Sequence, residues 1–521
     1  MMRWPLLVLS SIILALPLYA ADPVLYFTDL TSGPDTGIGD GLGSGTIVTV
    51  WGVNLGSSQG SNKIYYKDST GTSREAAYVY YWENADPASG SSGPSDLYKY
   101  HKMQEIAFSI PDSANGAGKI YVTVSGVMSN ELNFTVRAGR IFHAKATGSN
   151  SIGNGSWANP YRTMGRVEGE YNPNYSAGDI IYGSNGVVER WNQYYGLWVY
   201  QLAGTESNPI AFVAYPGATV TCSGSSAGIA NTDYSTSTYI TLSKLIAKGD
   251  QTGINGSRGG RIIGCKITDI NGATGVSGAI DANNNAGSNR IGGLKVYGNY
   301  IHDWGYSGSS KYEHTTYFSN RGGSIVAAPE VAWNLLENNI ARQGLHFYDE
   351  GACGDFSGTL KIHDNLIINQ TCDAIDIISE SATYPCFSMP VEIYNNVIIE
   401  AGYGINNEAV FVIGKYGNNS DIKIYNNTIF GYNDSSEGIF AFPAGVSGAF
   451  SGTWEFKNNI VVDTHNYPYY QVSGFINPSA SSNNLWYNGG DSTPESAPAW
   501  DTSPLTTDPL FTNAASNDFT L

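Results

Sequence analysis

An asparagine recurs through the second half of the chain at a nearly fixed interval. It stands at 299, 334, 365, 396, 427 and 459, so the spacings are 35, 31, 31, 31 and 32 residues. Each sits in the same frame, apolar-x-x-Asn-x-apolar, in VYGNYI, VAWNLL, IHDNLI, IYNNVI, IYNNTI and FKNNIV, and Cys265 holds the slot one coil earlier in IIGCKI. A period in this range is the mark of a solenoid, where each repeat buries its apolar residues only by stacking on its neighbours. The residue three before each Asn (Val296, Val331, Ile362, Ile393, Ile424, Phe456) is expected to point inward, as is the one two after it (Ile301, Leu336, Ile367, Ile398, Ile429, Val461). The Asn then falls at a bend. Buried there, its amide must bond to the backbone and to the Asn of the next coil, because an unsatisfied buried amide costs a few kcal/mol. The column is therefore read as structural, not as a binding site.

Composition agrees with an all-β fold. Charged residues are 14% of the chain, while Gly numbers 62 and Tyr 36, a balance that favours strands and turns over helices. The formal net charge is −18, which repels nucleic acid at long range and would repel a polyanionic glycan unless a basic patch or a bound cation reversed the sign locally. The opening MMRWPLLVLSSIILALPLYAAD has a basic Arg3, an apolar run from Leu6 to Leu18 and small residues Ala20 and Ala21. It reads as a signal peptide over 1–21, so a secreted monomer that does not span the membrane is expected. Export permits disulfides, but Cys222, Cys265, Cys353, Cys372 and Cys386 are odd in number, which leaves at least one thiol unpaired. The last three could staple a loop.

Residues 22–138 alternate apolar strands with turns, as in GTIVTVWGVNLG (Gly45 to Gly56) and IAFSIPDSANGAGKIYVTVSGVMSNELNFTV (Ile106 to Val136), which predicts a small β-sandwich. The VTV-x-G-x-N-x-G start, the I-P turn and the VTV…SN…FTV ending resemble the IPT/TIG family of Ig-like domains, whose members serve as spacers or binding modules. The aromatic run Tyr78 to Trp82 is expected to pack against the following domain. From 139 to 521 the Asn column resembles the right-handed parallel β-helix of the pectate-lyase-like superfamily. GSWANPYRTMGRV (Gly155 to Val167) resembles that group's entry segment, which implies a short capping helix there, and DPLFTNAASNDFTL (Asp508 to Leu521) is similar to the closing segment of secreted β-helix polysaccharide enzymes. The fold expected is thus all-β, an Ig-like sandwich followed by a right-handed parallel β-helix. The resemblance implies a polysaccharide-active enzyme or an adhesin but does not choose between reactions.

Candidate chemistry lies where HTTYFSN (His314 to Asn320), QGLHFYD (Gln343 to Asp349) and DAIDIIS (Asp373 to Ser379) align as stacked strands. Alternation puts Thr316, Leu345, Ile375, Phe318, Phe347 and Ile377 inward, and Tyr317, His346 and Asp376 outward in one column some 4.8 Å apart. Ser319, Tyr348 and Ile378 form a neighbouring column, with His314, Gln343 and Asp373 at the edge. Two chemistries fit an open glycan groove here. In β-elimination from a uronate, Lys311, His346 or Tyr317 would take the proton, and Arg321, Arg342 or Ca²⁺ held by Asp349, Glu350, Asp373 and Asp376 would neutralise the substrate. In hydrolysis, two carboxylates drawn from Asp349, Glu350, Asp373 and Asp376 would flank the glycosidic bond. Lyase is favoured slightly, and binding without cleavage is the rival from a different class. His314, Arg321, Arg342, Gln343 and Tyr348 are the candidate substrate contacts.

Overall fold

The computed structural model describes residues 21–165, 167–169, 174–231, 237–270, 277–283, 290–306, 312–320, 326–349, 356–379, 389–402, 409–415, 421–432, 438–441, 452–463, 469, 475–489 and 496–520. The expected signal peptide, Lys311, Arg321, Glu350, Cys353 and Cys386 lie outside the described residues. Nearly all regular structure is strand. The expected short capping helix is absent from the described residues 155–165, which form bends around a parallel bridge between Ala144 and Tyr161. From Val24 to Val136 the strands form two largely antiparallel sheets, and from Ile141 onward they form three long parallel sheets. Among the described residues these hold 12, 11 and 9 strands, each pairing with the equivalent strand one coil away. The chain after Ile141 is therefore a parallel β-helix, and no described helix is long and apolar enough to cross a membrane.

The coil is set by the bend between the first and second sheets. Asn396, for example, lies between strands Val391–Tyr394 and Val397–Ala401. Its Nδ2 donates to Asn427 Oδ1 (2.9 Å), and its Oδ1 accepts from the Asn365 backbone N–H (3.0 Å) and Nδ2 (2.9 Å). The same links join Asn299, Asn334, Asn365, Asn396, Asn427 and Asn459. Cys265 occupies the first rung through its N–H alone, 2.9 Å from Asn299 Oδ1. All the residues expected inward at positions −3 and +2 belong to one continuous core.

The residue just before each rung turns the corner with positive φ: Gly264, Gly298, Trp333, Asp364, Asn395, Asn426 and Asn458. Glycine and asparagine tolerate this left-handed conformation best, which accounts for the repeated Asn-Asn pairs. Trp333 (φ 56°) and, one coil before Cys265, Lys244 (φ 57°) do not fit that rule. Both reach the antiparallel module. Trp333 packs on Tyr26 and Phe27, with ring centroids 5.6 and 5.1 Å away, and Lys244 Nζ donates to Thr49 Oγ1 at 2.8 Å and contacts Tyr81 Oη at 3.2 Å. Strain at two corners is offset by contacts between the modules.

The outer face of the first parallel sheet is accordingly covered by the antiparallel module. Ile180, Tyr182, Ala211 and Val213 are buried in the same cluster as the module's own core, and Ile263, Tyr297 and Ala332 pack with Phe27, Trp51, Leu97 and Met103. Tyr182 Oη both donates to Ile47 O and accepts from Ile47 N at 2.9 Å. Tyr80 in the aromatic run meets Tyr215 edge-on at 5.6 Å. Cys222 and Cys265 are free thiols buried in the β-helix core, and Cys372 is buried as well.

Candidate functional site

The third sheet carries the candidate site on strands His314–Asn320, Gln343–Asp349 and Ile375–Ser379. Its register pairs Tyr317 with His346 and His346 with Asp376. Phe318, Leu345, Phe347, Ile375 and Ile377 point into the core, so strand alternation sends Tyr317, His346 and Asp376 to the opposite face. That follows from the sequence: β-branched and aromatic apolar residues at every second position fix the inward face, and the polar set between them has nowhere else to go.

His346 and Asp376 form a pair. The imidazole Nδ1 lies 2.8 Å from Asp376 Oδ2. A carboxylate only accepts, so Nδ1 carries the proton and Nε2 is the nitrogen with a lone pair in the neutral ring. His314 is held in the same tautomer, with Nδ1 2.6 Å from the Gln343 amide oxygen. Rings stack over the pair: His314 on His346 at 4.3 Å, Tyr317 on His346 at 5.6 Å and Tyr348 on His346 at 5.4 Å. Burial, with further repulsion from His346 and the Arg342 guanidinium, holds the His314 pKa well below the ordinary histidine value against the pull of Gln343. His314 is thus neutral, while its neighbour has a carboxylate partner.

The site differs from an open groove. His346 is 3% exposed, Asp376 1% and His314 5%. A side chain that leaves the core of a β-helix is not thereby in solvent, since flat rings stacked across successive coils shield one another. Asp373 is also buried, at the edge just before strand Ile375–Ser379. Arg342 and Tyr348 are partly exposed. Asp349 takes part in the strand register opposite Ser379, but its side chain lies outside the described set. No group of three or more His, Cys, Asp or Glu able to hold a metal occurs among the described residues, and Asp376 Oδ2 is engaged by His346. Of the expected calcium set, only the Asp373 and Asp376 side chains lie among the described residues.

Two further carboxyl groups belong to this neighbourhood. Asp281 falls in the same column, opposite Tyr317. It is buried, accepts from Asn283 Nδ2 at 2.9 Å, and has its pKa raised by burial against the attraction of Arg290. Its signal was available, because GAIDAN aligns with DAIDII in pattern. Glu313, next to His314, is 3% exposed, and its Oε2 has no hydrogen-bond partner among the described residues. Burial pushes its carboxyl up to about 7 against a hydrogen bond from Tyr306. Nothing in its sequence context separates it from a solvated loop acid.

The surroundings of His346 suit proton transfer: a fixed tautomer, a carboxylate behind the ring, and a carboxyl whose pKa burial raises just before the adjoining strand. Compared with known protein families the chain matches none, and no curated protein matches it either.

Proposed function

We propose that the protein is a secreted enzyme that cleaves a uronate-containing glycan by β-elimination on the outer face of the third sheet. The observation that carries this reading is the 2.8 Å bond from His346 Nδ1 to Asp376. It aims Nε2 as a base and stabilises the imidazolium that forms when the proton is taken from C5 of the sugar, as the C5 electron pair forms the C4=C5 double bond, the C4–O4 bond breaks and the leaving oxygen takes a proton from water. Arg342, whose charge reaches His314, would neutralise the substrate carboxylate and so lower the cost of the developing dianion. Tyr317, Tyr348, His314 and Gln343 supply ring faces and polar edges for the sugar. Because His346 is 3% exposed, turnover on this reading requires glycan binding to open the ring cluster.

Paired-carboxylate hydrolysis is less favoured, because Asp376 is bonded to the imidazole and is thereby withdrawn from a two-carboxylate mechanism. Binding without cleavage gives no role to a buried His–Asp pair. The deciding experiment incubates the purified protein with a panel of polysaccharides. A rise in absorbance near ~235 nm, the signature of the unsaturated uronate that proton abstraction produces, supports the proposal. New reducing ends without that rise mean hydrolysis, and retention without either means a binding protein.

A further inference from the structure

A second concave site lies between the two modules, at the corner where the chain leaves the third sheet and enters the first. It is a cleft of about 650 Å³, within the size range of small-molecule sites. One wall is Thr31, Ser32, Asn133 and Thr135 of the antiparallel module. The other is Glu206, Ser207, Arg258, Arg261 and Lys295 of the β-helix. None of these residues belongs to the His346 neighbourhood.

The cleft is open because successive coils pass this corner with almost no side chains. Gly259 N–H donates to Gly292 O and Gly293 N–H to Ala327 O, both at 2.7 Å. Gly259 (φ +64°) and Gly293 (φ +68°) both adopt the left-handed conformation. A Cβ on Gly259 would meet the Tyr239 ring at 2.3 Å, so the glycine lets that ring lie across the backbone as an end wall. Charge on the walls reverses that of the chain. Arg258, Arg261 and Lys295 face one Glu206, whereas the whole sequence has 27 basic and 45 acidic residues. Lys295 is partly neutralised by Glu330 at 2.8 Å. Arg261 is anchored through the carbonyls of Thr28 (2.7 Å) and Asp29 (3.1 Å); burial lowers its pKa against the attraction of Tyr297, Asp29 and Glu330, so the exposed Arg258 is the cation least compensated. Arg258 is exposed and has no ion pair among the described residues.

We infer that this cleft binds a short segment of acidic oligosaccharide. The guanidinium groups of Arg258 and Arg261 take the carboxylate, because planar cations suit bidentate anion contacts. The hydroxyls of Thr31, Thr135 and Ser207 and the Glu206 carboxylate take sugar hydroxyls, while the buried Ser32 hydroxyl is held by Arg137 Nε at 2.8 Å. The volume exceeds what a simple anion needs, and the hydroxyl wall suits a polyol. The site goes beyond the proposed activity and holds whether or not the His346 pair turns substrate over. It also gives the antiparallel module a part in recognition, since neither wall is complete alone.

The test is calorimetric titration of the full-length protein with trigalacturonate and, as a neutral control, maltotriose, at low salt. Trigalacturonate is expected to bind and maltotriose to bind at least tenfold more weakly. Arg258→Glu, at an exposed position, and Thr135→Trp, which fills the cleft without changing charge, should each weaken trigalacturonate at least tenfold. His346→Ala should leave the Arg258-sensitive part of that binding unchanged. Thermal melts confirm that the variants fold. The proposal is overturned if wild type binds no trigalacturonate at about 1 mM, or if maltotriose binds equally well. It is also overturned if both cleft variants bind as wild type, or if His346→Ala abolishes binding that Arg258→Glu retains, which would place the ligand at the His346 site instead.

Discussion

Replacing Asn396 by Leu tests the bend ladder where its accounting is complete. The Asn396 amide donates to Ile362 O (3.0 Å), Tyr394 O (3.1 Å) and Asn427 Oδ1 (2.9 Å), and accepts twice from Asn365. With leucine there, Asn427 Oδ1 keeps the Asn396 backbone N–H at 3.0 Å, and Asn365 Nδ2 keeps Val331 O at 3.0 Å. The Asn365 backbone N–H keeps nothing. One orphaned buried donor costs roughly 1–3 kcal/mol, and the remaining lost bonds bring the expected loss to about 2–4 kcal/mol. The neighbouring Asn395, at φ 56°, is the control, because glycine adopts that conformation freely. Asn395→Gly should change stability by less than about 0.5 kcal/mol. Guanidinium unfolding followed by tryptophan fluorescence measures both, with an unchanged m-value as the sign that the same structure unfolds. If Asn396→Leu costs no more than Asn395→Gly, the ladder does not hold the coils together and the argument fails.

Four other outcomes are expected. His346→Ala should lower kcat by about 10²-fold or more on any polymer the wild type cleaves, and should also lower the melting temperature because it leaves the buried Asp376 carboxylate without its imidazole; Asp376→Asn should lower kcat likewise. Addition of EDTA should leave wild-type turnover unchanged, and a loss restored by Ca²⁺ would show that residues outside the described set bring a cation to the site. A chain beginning near Gly139 should aggregate or fail to fold, because deleting the antiparallel module exposes Ile180, Tyr182, Val213 and Tyr297 together; a monomeric, cooperatively melting fragment would refute this. Glu189, buried and accepting from Met164 N and Gly165 N, has its carboxyl pushed from 4.5 up to about 7 by burial. A raised carboxyl pKa means the folded state binds the proton more tightly, so stability declines as pH rises from 4.5 to 7 and stays lower above that, by at most about 3 kcal/mol. Glu189→Gln should flatten that dependence in melts at pH 5 and pH 8, and an unchanged slope would assign it elsewhere.

The sequence spoke most clearly where a residue repeats because its neighbour one coil away demands it. The Asn positions, the inward apolar pairs and the Tyr317–His346–Asp376 register could all be read from spacing, since a parallel stack repeats chemistry at constant intervals. The rung at Asn484 could not. Its coil is shorter, 25 residues after Asn459, and Ser481 stands where the others have an apolar residue. The covered outer face of the first sheet was hidden for a different reason. Its contacts join residues over a hundred positions apart, such as Lys244 and Thr49, and no local pattern encodes such a pairing. Burial of the His346 cluster was equally illegible, because alternation decides which face a side chain takes but not what lies over that face.

The ladder also has an electrical direction. From Asn299 to Asn484 every amide turns its Nδ2 toward the C-terminal neighbour and its Oδ1 toward the N-terminal one. The dipoles therefore add along the axis as they do in a helix, with the positive pole at the C-terminal end. There the last donor, Asn484 Nδ2, meets the carboxylate of Asp501 at 2.9 Å, which also receives Trp486 Nε1 at 2.8 Å. A negative charge terminates a row of aligned amides at its positive pole, so Asp501 acts on the whole row as an N-cap acid acts on a helix. Growth of the stack past this coil would have to displace a charge that the preceding coils have polarised themselves to hold.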